Sequence, residues 1–417
     1  MTPRMLKQTL EEWSREVHVP ADLAGRALRH RSRLRLTRFA GAVSCAAVVA
    51  AVALLVPLVV APRFAPPVGP GGAPVAVPVQ PYRQTTPAQD VLADTENSPP
   101  KTMIAAGRVA VSAYYTWRSR TVAGRKVLDR TWYLLDQVTG SYEKTEWGWA
   151  EVAPGLRWAA VLEKDLPVRR IGVFDMETRR VTAWVPVDHP VGGVVWSPDG
   201  TRLLATAYDE SPDLDRTSVD ERRCPGQVPA TPDNPRRPPQ MISTSRTGFY
   251  VVDVATATAG DFHAVDPCLT DNSNVRRDFG WSDDGTLVRE ASNIWKRPDA
   301  FYDLDGRPHD APAGYVITES RAGVSPDGAL LAGPDGMPTA VTELATGKIV
   351  GRQQVLQLLA WADDRRLIAL GCAGTCGNEF HNGLVLVGVD GEDMVQLSVY
   401  RKNSIEPEAW QPVLTLR

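Results

Sequence analysis

Trp196-Ser197-Pro198-Asp199-Gly200, followed by Thr201-Arg202-Leu203-Leu204-Ala205, is the stretch that decides the fold. An aromatic residue closes one strand, a tight turn reverses the chain, and an apolar run opens the next strand. Proline presets φ at the second turn position, Asp bonds its own backbone, and Gly accepts a positive φ. The pattern returns as Trp281-Ser282-Asp283-Asp284-Gly285, as Val324-Ser325-Pro326-Asp327-Gly328, and in weaker form as Trp361-Ala362-Asp363-Asp364. An eroded copy, Val152-Ala153-Pro154-Gly155 before Leu156-Arg157-Trp158, lies upstream. Asp199, Asp284, Asp327 and Asp364 stand at related turn positions, so each is assigned to its own turn rather than to a shared metal cluster.

A second element repeats with the first. Large apolar residues run into Asp136, Asp175, Asp253, Asp303, Glu343 or Gly388, each followed by a Thr-Gly, Asp-Gly or related hairpin turn. Successive intervals between these six positions are 39, 78, 50, 40 and 45 residues. Four of them fit the roughly 40–50 residues of a four-stranded propeller blade. The long one contains a charged, proline-rich, strand-poor insertion from Asp209 to Arg246. The expected fold is therefore all-β, a six-bladed β-propeller over residues 101–417. A ring also leaves few exposed strand edges, and Gln411–Leu416 is the candidate closing strand, paired with Val109–Tyr115.

The two closest copies, Trp196-Ser-Pro-Asp-Gly and Val324-Ser-Pro-Asp-Gly, with the hairpin at Tyr250-Val-Val-Asp253, are similar to the WD40-like (PD40) repeats of TolB-type six-bladed propellers. The likeness covers most of the chain after residue 101. It implies the fold. About function it implies little, since such propellers serve as partner-binding platforms, sensors and substrate gates alike. TolB itself begins with an α/β domain and has no membrane anchor, so a role in the Tol system is not carried over.

The N-terminal part has a different character. Phe39 to Ala61 is uncharged over 23 residues, long enough for a hydrocarbon core of about 30 Å. Arg26, Arg29, Arg31, Arg33, Arg35 and Arg38 precede it and Arg63 stands nearly alone after it, which places the N-terminus in the cytoplasm. The expected organisation is a cytoplasmic basic juxtamembrane helical segment (1–38), a retained transmembrane signal anchor (39–61), a Pro-rich extracellular linker (62–100) and an extracytoplasmic propeller (101–417). The net charge of −3 and pI of about 6.1 give no reason to expect a nucleic-acid partner.

Chemistry-bearing motifs are sparse. Gly323-Val-Ser325-Pro-Asp lacks the second Gly of a nucleophile elbow. Asp303-Leu-Asp305-Gly306 supplies two carboxylates where a calcium loop needs six or more oxygens, so a hairpin turn is expected. His189, His263, His309 and His381 show no metal-ligand spacing, so no metal and no cofactor are assigned. Four cysteines follow the membrane segment, an even number in an oxidising location. Cys372 and Cys376 are candidates for a small local disulfide, with a metal or redox pair as the rival, and Cys224 and Cys268 for a second bridge tying down the insertion. The insertion from Asp209 to Arg246 and the loop from Cys372 through Glu379 to His381 are the candidate binding surfaces, because function gathers in irregular loops on rigid scaffolds.

The leading functional expectation is a non-enzymatic scaffold or sensor for a protein, peptide or cell-envelope ligand. A propeller hydrolase or lactonase with a channel metal, and an anti-sigma-like transmembrane signalling protein, are the alternatives.

Overall fold

The computed structural model describes residues 76–214, 245–266, 276–292, 297–374, 381–401 and 409–417, with the backbone of 222–223 and 241–242. The chain divides into Met1–Arg63 and Phe64–Arg417, and every described residue belongs to the second unit. The segments expected to be cytoplasmic (1–38) and membrane-spanning (39–61), with Cys224, Cys268, Cys376 and Glu379, lie outside the described residues.

The described residues form strands, turns and irregular connections, with no helix among them. The strands meander antiparallel, each unit passing to the next in sequence order, in a propeller-like arrangement. The first unit pairs Gln411–Leu416, Val109–Val122, Arg125–Asp136 and Ser141–Lys144. The second runs Trp149–Val152, Trp158–Leu162, Val168–Asp175 and the first part of Arg180–Trp196. The last part of that 17-residue strand pairs instead with Arg202–Tyr208, which pairs with Arg246–Asp253. One bent strand thus joins two units into an eight-stranded sheet. Further sheets run from Gly280–Trp281 to Pro308–His309, from Leu330–Ala332 to Ile349–Gln353 and from Gln357–Trp361 to Val395–Gln396.

The expected closing strand is present, with Gln411 opposite Tyr115 and Leu416 opposite Val109. A buried cluster that includes Val111, Tyr114, Leu359, Ile368, Leu384 and Trp410 joins the last sheet to the first. Other clusters fill the seams between the first and second units, the second and third, and the third and the sheet after it. Burying the facing sides of adjacent sheets in these seams supplies apolar surface that holds the arrangement together.

The repeated turns are one structure used several times. Ser197, Ser282 and Ser325 each donate their hydroxyl to an Asp two residues on, at 2.5–2.6 Å. The same hydroxyls accept from the backbone N–H five residues on, at 2.9–3.0 Å. These bonds hold the Asp284 and Asp327 carboxyls below the ordinary aspartate range, the serine hydroxyl being the largest contribution. At Asp199 partial burial opposes the shift, yet bonds from Ser197 and Thr201 still lower it. Gly200, Gly285 and Gly328 have φ of 70°, 68° and 75°, a region only glycine enters without strain. The weakest copy departs from expectation: Asp363, not Asp364, accepts from the Arg365 and Arg366 N–H groups, because this turn is one residue shorter. The tryptophans of the motif staple neighbouring sheets, Trp196 donating to Glu151 O, Trp281 to Val195 O and Trp361 to Gly323 O.

The expected linker boundary at residue 100 moves. Val77 is buried in the seam between the second and third units, and its N–H donates to Ala255 O. Tyr82 N–H donates to Asp199 O, and its hydroxyl to Arg417 O at 3.1 Å. Val91–Leu92 pairs with Ala105–Ala106. Asp94 accepts from the Asn97, Lys101 and Thr102 N–H groups, which against the cost of burial bring it to about 2. Residues 76–100 are thus a strap across the turn end of the sheets, where prolines favour the extended backbone and Val77 and Tyr82 supply contacts.

Candidate functional site: the mouth opposite the turns

The end of the sheets away from the Ser-Pro-Asp-Gly turns carries a buried ionic cluster. Its seat is Gly192-Gly193, at the start of the part of the Arg180–Trp196 strand that pairs with Arg202–Tyr208. A side chain at Gly193 would occupy the space of the Asp278 carboxylate, and one at Gly192 would meet Pro212 and Tyr208. The glycine pair therefore permits a close approach that any larger residue would block. Arg276 lies in that space. It pairs with Asp278 at 2.8 Å and Asp213 at 3.2 Å, donates to Gly192 O, and stacks 3.7 Å from the Trp149 ring centroid. Burial works against its charge, but Asp278 and Asp213 more than offset this and keep the guanidinium protonated. Tyr208 donates to Asp278 at 2.7 Å, and burial beside that carboxylate raises the phenol well above its ordinary value.

Arg130 reaches the same Asp213 from the Arg125–Asp136 strand. It lies 5.3 Å from the Tyr115 ring centroid and 5.7 Å from that of Trp149. Among the described residues its Nε, closed off from solvent, has no hydrogen-bond partner. The cluster thereby ties the first unit, the second, the start of the insertion and the Gly280–Trp281 strand at one point.

The hairpin of Val109–Val122 and Arg125–Asp136 overhangs this cluster. Its two strands stay paired from Ala113–Leu134 out to Val122–Arg125. The overhang is held by the insertion's first residues, through the Val127–Leu214 bridge and the Leu128 N–H to Asp213 O bond. Under it lies a cavity of about 550 Å³. Arg130, Asp213 and Arg276 form its polar side, and Trp117, Val127, Leu128 and Leu214 form apolar walls. That volume lies within the range of ligand pockets.

Glu151 lies two residues beyond Trp149, half-buried on the Trp149–Val152 strand. Burial is the main cause that pushes its carboxyl up to about 7, with Arg321 relieving and Asp278 reinforcing the shift. It can change charge near neutral pH where ordinary carboxylates cannot.

The residues singled out from sequence fall elsewhere. Arg246 is buried and paired with Glu290, its guanidinium 4.2 Å from the Phe279 ring centroid. The expectation of an exposed binding residue is corrected, because a strand begins at Arg246 and ends the insertion there. Asp209 is exposed at the other edge of the insertion, its N–H bonded to Ser245 O. Cys372 is disulfide-bonded to a cysteine outside the described residues, and its sulfur lies 3.0 Å from the Tyr400 hydroxyl. His381, exposed, lies with its ring 4.0 Å from that of Tyr400. Asp303 accepts from the Asp305 and Arg307 N–H groups in a hairpin turn. The histidines stay apart: His189 stacks on Phe262 at 3.8 Å, and His309 is exposed beside Asp310 O. Among the described residues no group of three His, Cys, Asp or Glu side chains could hold a metal ion.

None of Arg130, Asp213, Arg276 or Asp278 stood out in the sequence. The signal available was the double glycine inside a strand pattern, which marks close backbone approach, together with the charged pair Arg276-Arg277 and Asp278 leading into the Trp281 repeat.

No family model and no curated protein matches the chain. Among solved structures, hydrazine synthase from Kuenenia stuttgartiensis is similar over 61% of this chain and 68% of that one, at 14% identity and a TM-score of 0.32. TolB from Acinetobacter baumannii is similar over 73% of this chain at 15% identity and a TM-score of 0.36. The match covers 66% of TolB, just under two thirds of its length. At these scores the propeller-like assignment rests on this chain's own strand order.

Proposed function

We propose that the chain is a membrane-anchored, extracytoplasmic propeller of six blades, of the TolB-like PD40 kind, that binds a protein, peptide or cell-envelope ligand at the mouth opposite its turns. Two features support six: the bent 17-residue strand counts in two units, and the Val324–Leu331 bridge supplies an inner edge for the unit after Pro308–His309. Phe39 to Ala61, uncharged and preceded by six arginines from Arg26 to Arg38, supports the anchor and its orientation.

The observation that carries the binding role is the cavity of about 550 Å³ over the Arg130, Asp213 and Arg276 cluster. The strap and the cavity lie at opposite ends of the same strands: Tyr82 meets the Asp199 turn before Arg202–Tyr208, and Asp213 follows that strand. This is a scaffold or sensor geometry and requires no bond-making step.

A photo-crosslinking residue placed at Ser119, exposed on the overhang, tests the reading in cells. The expected result is a discrete envelope adduct at Ser119 and none from Val138, an exposed hairpin position at the strap end. Equal labelling at both positions, or adducts at Val138 alone, refutes the mouth as the binding face. Resistance of the full chain to alkaline extraction from membranes is the expected sign of the anchor, and release into the soluble fraction would remove it.

A further inference from the structure

We infer that the cavity at the mouth accepts a monoanionic carboxylate bearing an apolar chain, such as the C-terminal residue of a peptide, with Arg130 and Lys126 receiving the carboxylate. The inference rests on the reading of the mouth as the binding face and names the chemistry that face selects.

The charge balance of the cavity is the first ground. Lys126, Arg130 and Arg276 line it against a single lining carboxylate, Asp213. Arg276 is also satisfied from behind by Asp278, and its remaining contacts go to Gly192 O and the Trp149 ring. Among the described residues three cations therefore face two carboxylates, which leaves one positive charge. One carboxylate matches that surplus, whereas a dianionic phosphate would overfill it by a charge.

The second ground is a shared counter-charge. Asp213 is divided between Arg130 and Arg276, and among the described residues Arg130 has no second carboxylate. An anionic oxygen set against the Arg130 guanidinium forms a charge-assisted bond. Lys126 is exposed at the rim, with no ion pair among the described residues. Arg130 also lines an adjoining cavity of about 200 Å³, whose other cations are paired, Lys164 with Asp129 at 2.9 Å and Arg120 with Asp165 at 3.7 Å. Lys126 lines the larger space only.

The third ground is the wall opposite the charge. Val127, Leu128, Leu214 and Trp117 offer apolar surface next to the Arg130 edge. A ligand with an apolar side chain one or two bonds from its carboxylate covers both at once.

The test uses the full chain in detergent micelles and two probes, acetyl-Ala-Ala-Leu as the free acid and as the carboxamide, titrated by calorimetry. The wild type should bind the acid roughly tenfold more tightly than the amide, or better, as one charge-assisted hydrogen bond implies. Arg130→Gln should abolish that preference. Lys126→Gln, at an exposed rim position that leaves the cluster intact, should reduce it about threefold and weaken its salt dependence. Equal binding of acid and amide by the wild type overturns the inference. So does a preference unchanged in Lys126→Gln and in a folded Arg130→Gln. A wild type that binds neither probe yet still forms the Ser119 adduct overturns the carboxylate and leaves the mouth standing. Loss of that adduct as well overturns both readings.

Discussion

At the Trp196 end of its strand, Ser197 and Asp199 close a turn with partners no more than five residues away. At Gly192, toward the other end of the stretch that pairs with Arg202–Tyr208, Arg276 meets Asp213 across 63 residues and Gly192 across 84. The first kind of contact repeats because it depends only on residues beside one another, so Ser282 and Ser325 rebuild it unaided. The second occurs once, because it needs three stretches of chain brought together by the ring. Repetition therefore marks where the chain spaces its sheets, and the interruptions mark where it assembles something singular.

The largest expected effect falls on the singular end. Arg276→Met removes the one cation paired with Asp278 among the described residues and leaves Asp213 to Arg130 alone, so a carboxylate in the cluster is left uncompensated, a loss of about 3–5 kcal/mol. Urea unfolding measures it, and a variant within experimental error of the wild type would show the cluster to be a passive surface feature. Gly193→Ala comes next. The added methyl collides with the Asp278 carboxylate, which Tyr208 and Arg276 hold in place, so a cost of about 1–3 kcal/mol is expected from the same measurement.

Ser282→Ala, at the repeated end, removes the bond to Asp284 and the one from Leu287 N–H. The expected loss is about 1–2 kcal/mol. An equal loss in Ser325→Ala would confirm that the copies are equivalent, and a large difference between them would break the comparison.

The smallest effect is the most diagnostic. Glu151 is raised to about 7 from an ordinary 4.5, so between those values the folded chain keeps a proton that the unfolded chain has released. Its protonated form therefore favours folding at low pH, and that contribution declines as pH rises to about 7. Glu151→Gln should match the wild type near pH 4 and gain on the order of 1–3 °C in Tm by pH 8. Parallel curves for the two proteins would place Glu151 in ordinary solvent.

The legible part of the fold was the part written in short-range chemistry. Turn residues at Asp199, Asp284 and Asp327 announced the sheet units, and the alternating apolar run at Gln411–Leu416 announced the closing strand. The strap was misassigned because prolines between residues 62 and 100 suit a free linker and a packed extended segment equally. Burial of Val77 distinguishes the two, and burial is a tertiary property. Arg246 failed for a related reason. A charged residue at the end of a polar insertion reads as exposed until Glu290 is found beside it.

For the site, the chain alone offered only a double glycine and scattered charges. Lys126, Arg130, Asp213, Arg276 and Asp278 span more than 150 residues with no common spacing, and no pattern in one dimension relates them. The sequence by itself determined a strand-and-turn repeat and its closure, because φ preferences, Asx turns and period-2 burial act between near neighbours. Only the tertiary structure decided which charges share a cavity and which donor is left unmet, because that depends on where the ring places the overhanging hairpin and on the room Gly192 and Gly193 leave beneath it.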